Sequence, residues 1–339
     1  MCVFFITATA YSQLGGRDTY QFLNLISSPR QAALGGKVIT NYDYDPDSAV
    51  YNPASINKQM SNQLSTNYVN FLSDVNYGKA SYAYYVDRRT QVVHASATYI
   101  NYGSFDGRDE TGQFTGEFGG GEAAFSLGYA RNIPRTDIHI GANAKFITSR
   151  LAEYTSIGGA IDIGAIYNYE EWDLNAAVVV RNIGTQFTPF VDTIESLPLE
   201  IDAGISQILA NVPIRWHLTL ENLQLLNIAF QNGGRETVDF DGNVIEEEIG
   251  VLDNVFRHAI LGLELFPRGG FNLRFGYNFR RNAELRVLNQ RSFSGLSAGF
   301  GLKINKIRFN YAFARYNSAA TSSFFGLVID LEQYAFAKA

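Results

Sequence analysis

The sequence predicts an all-β chain: a transmembrane, antiparallel, up-and-down β-barrel of about fourteen strands. Three observations predict it. Long stretches alternate strictly between apolar and polar residues. The connections between them are short at every second position, and the long ones fall on the other side. An apolar leader opens the chain, and no later run reaches the ~18 apolar residues of a membrane helix.

The alternation comes first. In 137–147, Ile138, Ile140, Ala142, Ala144 and Phe146 share one face, against Asp137, His139, Asn143 and Lys145. In 214–221, Ile214, Trp216, Leu218 and Leu220 oppose Arg215, His217, Thr219 and Glu221. In 271–280, Phe271, Leu273, Phe275, Tyr277 and Phe279 oppose Asn272, Arg274, Asn278 and Arg280. In 307–313, Ile307, Phe309, Tyr311 and Phe313 oppose Arg308 and Asn310. Such a period of two gives a strand one apolar and one polar face. The other candidate strands are 62–72, 77–86, 91–102, 121–131, 157–169, 172–182, 199–208, 255–266, 293–304 and 322–332. A tilted membrane strand needs ~9–11 residues, which most of these supply. A soluble β-sandwich also alternates. Here, however, the polar face is rich in Gly, Ser, Asn and Arg, which suits a lumen.

The connections sort by parity. The short ones are 87–90, 132–136, 170–171, 209–213, 267–270 and 305–306. The long ones, 103–120, 183–198, 222–254 and 281–292, are all odd-numbered, although two odd ones near 73–76 and 149–154 are short. Short periplasmic turns and long external loops produce this bias. A sandwich has no reason to sort its loops by side.

The leader, Met1 to Ser12, ends in the small-x-small sequence Ala10-Tyr11-Ser12 and reads as a signal peptide, although a basic start is missing. Residues 13–60 are richer in Gly, Asn, Asp and Pro and read as a folded N-terminal plug. The barrel follows over 61–333, with a tail at 334–339. Tyr (20) and Phe (25) are abundant, as strands and interfacial girdles require. A net charge of −6 argues against nucleic acid as a partner. Cys2 is the only cysteine, so the mature chain has neither disulfide nor thiolate metal site. No cofactor is expected.

Candidate chemistry is sparse. His94, His139, His217 and His258 lie on separate strands, with no serine placed beside them and no G-x-S-x-G elbow. An enzyme is therefore not expected. Arg181, Arg215, Arg274, Arg280, Arg308, Lys145 and Lys303 face the lumen with Asp137, Asp162, Asp173, Glu221, Glu264 and Asp330. Mixed signs in similar number suggest ion pairs that clamp the plug, against a conducting pore. Asp43-x-Asp45-x-Asp47 and Asp239-x-Asp241 have calcium-loop spacing but lack the rest of such a loop. The loop 222–254 carries Glu236, Asp239, Asp241, Glu246, Glu247 and Glu248, a candidate docking surface for a partner. Phe105, Phe114, Phe118, Phe187 and Phe190 on other long loops are candidate apolar anchors.

A family resemblance lies in the N-terminal segment. Ser27-Ser28-Pro29-Arg30-Gln31-Ala32-Ala33-Leu34-Gly35-Gly36 resembles the "SARxAALGG" stretch of outer-membrane barrels related to the fatty-acid transporter FadL. Asp45 to Ala54, which includes Asn52-Pro53, resembles their "DDPSAxxxNPA" signature. The opening Leu14-Gly15-Gly16 and Tyr20 to Leu25 is similar to the PorQ family of type IX secretion barrels, and less like PorV. The resemblance implies a FadL-like barrel in the outer membrane of a Gram-negative bacterium. Arg30, Gly35, Gly36, Asn52 and Pro53 would be the signature of its plug. It also implies a role in attaching secreted cargo to anionic lipopolysaccharide. The partners would be a surface-exposed PorZ-like protein, a PorU-like sortase and a PorV-like barrel. The alternative within the same relationship is a transporter or shuttle for a hydrophobic ligand.

Overall fold

Residues 18–71, 75–87, 91–229, 237–238, 244–245, 250–285, 294–316 and 321–331 are described by the computed structural model. Sixteen strands run through them. Fourteen close an antiparallel barrel in which each strand pairs with the next in sequence. They are β1 (Gln63–Asn70), β2 (Asn76–Asp87), β3 (Gln91–Arg108), β4 (Phe114–Asn132), β5 (Ile138–Leu151), β6 (Tyr154–Tyr169) and β7 (Leu174–Thr188). There follow β8 (Glu200–Ile208), β9 (Ile214–Leu220), β12 (Ala259–Leu265), β13 (Phe271–Asn278), β14 (Leu296–Ile304), β15 (Ile307–Ala314) and β16 (Ser322–Asp330). The two remaining strands, β10 (Thr237–Val238) and β11 (Val244–Ile245), form a separate ribbon. Strand β1 pairs with β16 from Gln63↔Asp330 to Asn70↔Ser323, which closes the cylinder and leaves no edge.

The outward face of the barrel is greasy. Tyr99, Phe125, Leu127, Phe146, Ile161, Ile163, Val178, Phe275, Phe313 and Phe325 are all exposed. A contiguous belt of this size would be an aggregation liability in water and is what a membrane barrel presents to lipid. No helix among the described residues is long and apolar enough to cross a membrane. The short turns are taken as the periplasmic end, as in other barrels of this architecture. One of them, Asn305-Lys306, opens on Asn305 at φ 53, a left-handed conformation that Asn tolerates.

The walls differ in height. Strands β3 and β4 have 18 and 19 residues, while β9 and β12 have 7 each. At ~3.3 Å per residue and a tilt of ~40° the tallest strand rises about 45–50 Å, against an apolar band of ~25 Å. The excess rises beyond the external surface. Residues 103–108, 114–119 and 183–188 are therefore strand, although the sequence reading made them loop. Their Gly-rich stretches lack the alternation that lipid on one side imposes. Two predicted strand ends are helical instead: α3 (Val251–Arg257) precedes β12, and α4 (Phe279–Glu284) follows β13.

Residues 18–60 run inside the barrel. They begin at the external mouth, where the Thr19 amide donates to the Ser196 carbonyl at 2.9 Å. They end at the periplasmic rim beside β1. Short helices α1 (Pro29–Ala33) and α2 (Ser48–Tyr51) and three 3-10 turns make up the descent. Nearly every residue from 26 to 56 is buried. Inward glycines make the room: a Cβ on Gly276 would overlap the Gly35 amide, and one on Gly141 would overlap the Pro53 carbonyl.

Candidate functional site: the filled lumen and the external mouth

The lumen is filled in layers. Just below the external mouth, Tyr20, Phe22 and Ile26 pack with the inward residues Tyr77, Ile100, Ile147, Leu197 and Phe324 as an apolar layer. Near the periplasmic end, Ile56 and Met60 pack with Ala83, Val92 and Ala130. Between them lies a layer of charge.

Arg30 is the centre of that layer. It sits on α1, whose first turn is opened by Pro29, a residue pre-shaped for helix starts. Its guanidinium grips Asp43 with two bonds of 2.8 Å and reaches Glu264 on β12 at 3.1 Å. Arg215 on β9 also donates to Asp43, at 3.0 Å, and Arg274 on β13 donates to Glu264 at 2.8 Å. A second centre is Asp47, which accepts from Ser65, Asn67 and Ser81 and faces Lys79 at 3.5 Å. A third joins Lys37 and Arg181 to Glu200, with Asp202 at 3.0 Å from Arg181. Lys145 pairs with Asp162 at 2.7 Å. The inner segment is thus tied ionically to β12, β9, β2 and β8. Desolvating these charges is costly, and only pairing and bonding of this quality compensates.

The electrostatics follow. Burial would push the Asp43 carboxyl up, but the Arg30 and Arg215 charges hold it well below the usual carboxylate range. Burial, then the neighbouring Asp47 charge, pushes Asp45 up to about 6. Asp43 and Asp47 have their oxygens taken by cations and hydroxyls, so this trio is an ion-pair layer and not a calcium loop.

The plug-signature residues have separate jobs. Arg30 is the ionic hub. Gly35, at φ +95, lets the chain turn against β13, where Gly276 receives it. Gly36 packs against Ile260. Asn52 caps the turn that Pro53 begins, accepting from the Ala54 amide and donating to the Ile39 carbonyl at 2.9 Å. Asn52 and Pro53 lie against Gly164 and Gly141 of the wall.

Of the charges expected in the lumen, Lys145, Asp162, Arg181, Arg215, Glu264, Arg274 and Arg308 are there, all but Arg215 buried. Asp137, Asp173 and Lys303 are not. They have the inward phase but lie beyond the periplasmic rim; Asp173 meets the exposed Arg268 there. Asp330 is half-buried at the same rim. Arg280 belongs to α4 and bonds Glu284 at 2.8 Å. His94 and His217 are buried inward, and His139 bonds Tyr42 at 3.0 Å. His258 and Glu221 bond one another through the Glu221 backbone carbonyl, at 2.7 Å. Phe105, Phe114, Phe118 and Phe187 are exposed on the tall wall, while Phe190 packs towards Tyr20. Glu236, Asp239, Asp241, Glu246, Glu247 and Glu248 lie outside the described residues, as do the leader and the C-terminal tail. The sequence reading missed the cavity at the external mouth, whose wall comes from the inner segment and five separate connections.

Comparison with solved structures agrees with this architecture. A "TodX monoaromatic hydrocarbon channel deltaS2 mutant" matches with a TM-score of 0.51 and 12% identity, over 89% of this chain and 97% of that one. A Pseudomonas aeruginosa FadL homologue matches with a TM-score of 0.52 and 8% identity, over 90% and 98%. The fold is that of FadL-like outer-membrane barrels. Identities this low speak for the fold alone. No family model and no curated protein matches the chain.

Proposed function

We propose that the chain is an anchoring barrel of the outer membrane, a PorQ-like component of a type IX secretion attachment complex. The observation that carries this reading is the filled lumen. Three stacked layers, apolar, ionic and apolar, occupy the channel from mouth to rim. A passage would have to break several buried ion pairs, each costing about 3–5 kcal/mol when one partner is left alone. A platform needs no passage. It needs a rigid body in lipid and a surface above it.

The tall wall supplies that surface. On the β3–β4 hairpin, Phe105 and Phe118 stack with ring centroids 5.6 Å apart, and both are exposed. Phe118 shares the phase of the inward residues Glu122 and Ala124 and looks over the barrel mouth, and beyond it the register shifts before Phe114. Exposed aromatic clusters of this kind anchor protein partners. On this reading the partner is a PorZ-like surface protein, with a PorU-like sortase and a PorV-like barrel alongside. Lipopolysaccharide surrounds the barrel and receives the cargo.

The test is affinity capture of the tagged barrel from detergent-solubilised outer membrane. Wild type should bring down one surface-exposed protein, and shortening the hairpin across 104–118 should release it. Wild type that brings down no surface protein contradicts the reading.

A second reading is transport of a hydrophobic ligand. The solved structures of similar fold support it, one being named as a hydrocarbon channel. It requires residues 18–60 to shift, and it predicts apolar molecules co-purifying within the barrel.

A further inference from the structure

The barrel wall is lowest at β9 and β12, which have 7 residues each. At ~3.3 Å per residue and a tilt of ~40° such strands rise about 18 Å, short of the ~25 Å apolar band. Phe266, exposed at the periplasmic turn, narrows the gap without closing it. Directly above β12 stands α3, and its amphipathicity is inverted. Val251, Leu252, Val255 and Phe256 are 82%, 75%, 55% and 53% exposed. With 3.6 residues per turn, these four share one face. Asp253, Asn254 and Arg257 occupy the opposite face, and that face holds the helix to the barrel. Arg257 is buried and bonds Asp253 at 2.9 Å. Asn254 accepts from the Ile228 amide at 3.1 Å and donates to the Leu226 carbonyl at 2.6 Å. A surface helix in water turns its apolar stripe towards the core. Helix α3 turns it away.

This face continues the greasy belt of the barrel. Leu261, Tyr277 and Leu296 stand side by side on the outward face of β12, β13 and β14. The Phe279 ring meets Tyr277 edge-on, with centroids 4.8 Å apart, and Phe256 stacks on Phe279 at 5.6 Å. The apolar surface thus climbs without a break from the strands on to the helix. Leu226, 91% exposed, is held beside α3 by Asn254. A helix with its side chains is ~10 Å across, enough to make up the missing height. We infer that α3 is immersed in the external leaflet, where it completes the lipid-facing surface that β9 and β12 leave short. The neighbour of its apolar face is the acyl chain of a lipid. The inference goes beyond the anchoring role and does not depend on it, since it needs only a barrel in a membrane.

Fluorescence quenching by brominated phosphatidylcholine tests this, with the full chain reconstituted in vesicles of that lipid. The native indoles are removed by Trp172→Phe and Trp216→Phe, and Phe256→Trp supplies a single reporter. Phe275→Trp on the belt and Phe105→Trp on the tall hairpin are the controls. Folding of each variant is checked by the heat-shifted mobility of the barrel on gels. Phe256→Trp should lose most of its emission in brominated lipid, as Phe275→Trp does, while Phe105→Trp keeps its own. Bromines near the carboxyl end of the acyl chain should quench Phe256→Trp more than bromines near the methyl end, because an interfacial helix lies only ~5–10 Å into the boundary of headgroups and chains. Folded Phe256→Trp that keeps its emission as Phe105→Trp does overturns the proposal, for α3 would then lie in water or against protein. Stronger quenching from the methyl end also overturns it, for the helix would then not sit at the external edge of the belt.

Discussion

Arg30 illustrates what could and could not be read at the scale of single residues. Its place in a recognisable motif was legible, but its partner Glu264 lies 234 residues away and no local pattern points to it. Loss of its side chain would leave Asp43 without its bidentate partner and Glu264 short of one donor in a buried layer. Arg30→Ala should therefore destabilise the barrel by about 3–5 kcal/mol, read as a lower unfolding midpoint in urea with detergent. Asp45 makes a different prediction. Its folded carboxyl titrates at about 6, above the usual ~3.9 of an unfolded chain. The folded state then binds the extra proton, and this group's stabilising share is lost as pH rises from about 4 to 6. Asp45→Asn should thus gain more thermal stability at pH 7.5 than at pH 4.5, relative to wild type. An equal gain at both values would remove Asp45 as the titrating group.

Elements were legible where lipid enforces a rule. In β5, β9, β13 and β15 one face must be apolar, so the alternation is complete and the strand predicted from it is present. The rule stops at the membrane surface. Above it, β3 and β4 continue with both faces in water, and the period fades. Phase also gives the side of a residue but not its height, which is why Asp137, Asp173 and Lys303 were placed in the lumen. The inner segment was visible only as a change of composition. Its seating depends on inward glycines whose partners are far away in sequence. Gly276→Val would drive a side chain into the Gly35 backbone, an overpacking that the wall cannot relieve. Brief trypsin treatment should then cut the variant after Arg30 or Lys37 while the barrel band survives. Wild type should resist, and equal resistance of the variant would mean that the segment is not held by this contact.

For the whole molecule, the barrel and its handed arrangement of long and short connections came from the sequence, because closure and a two-sided membrane constrain every strand together. The cavity at the mouth did not, since it is assembled from the inner segment, α4 and several connections at once. The central claim concerns the lumen: residues 18–60, held by buried ion pairs, fill it among the described residues. Ion conductance of the purified wild-type barrel in planar bilayers tests this most directly. The account predicts insertion without steady conductance steps, at neutral pH and ordinary salt. A stable open conductance with residues 18–60 intact would contradict it.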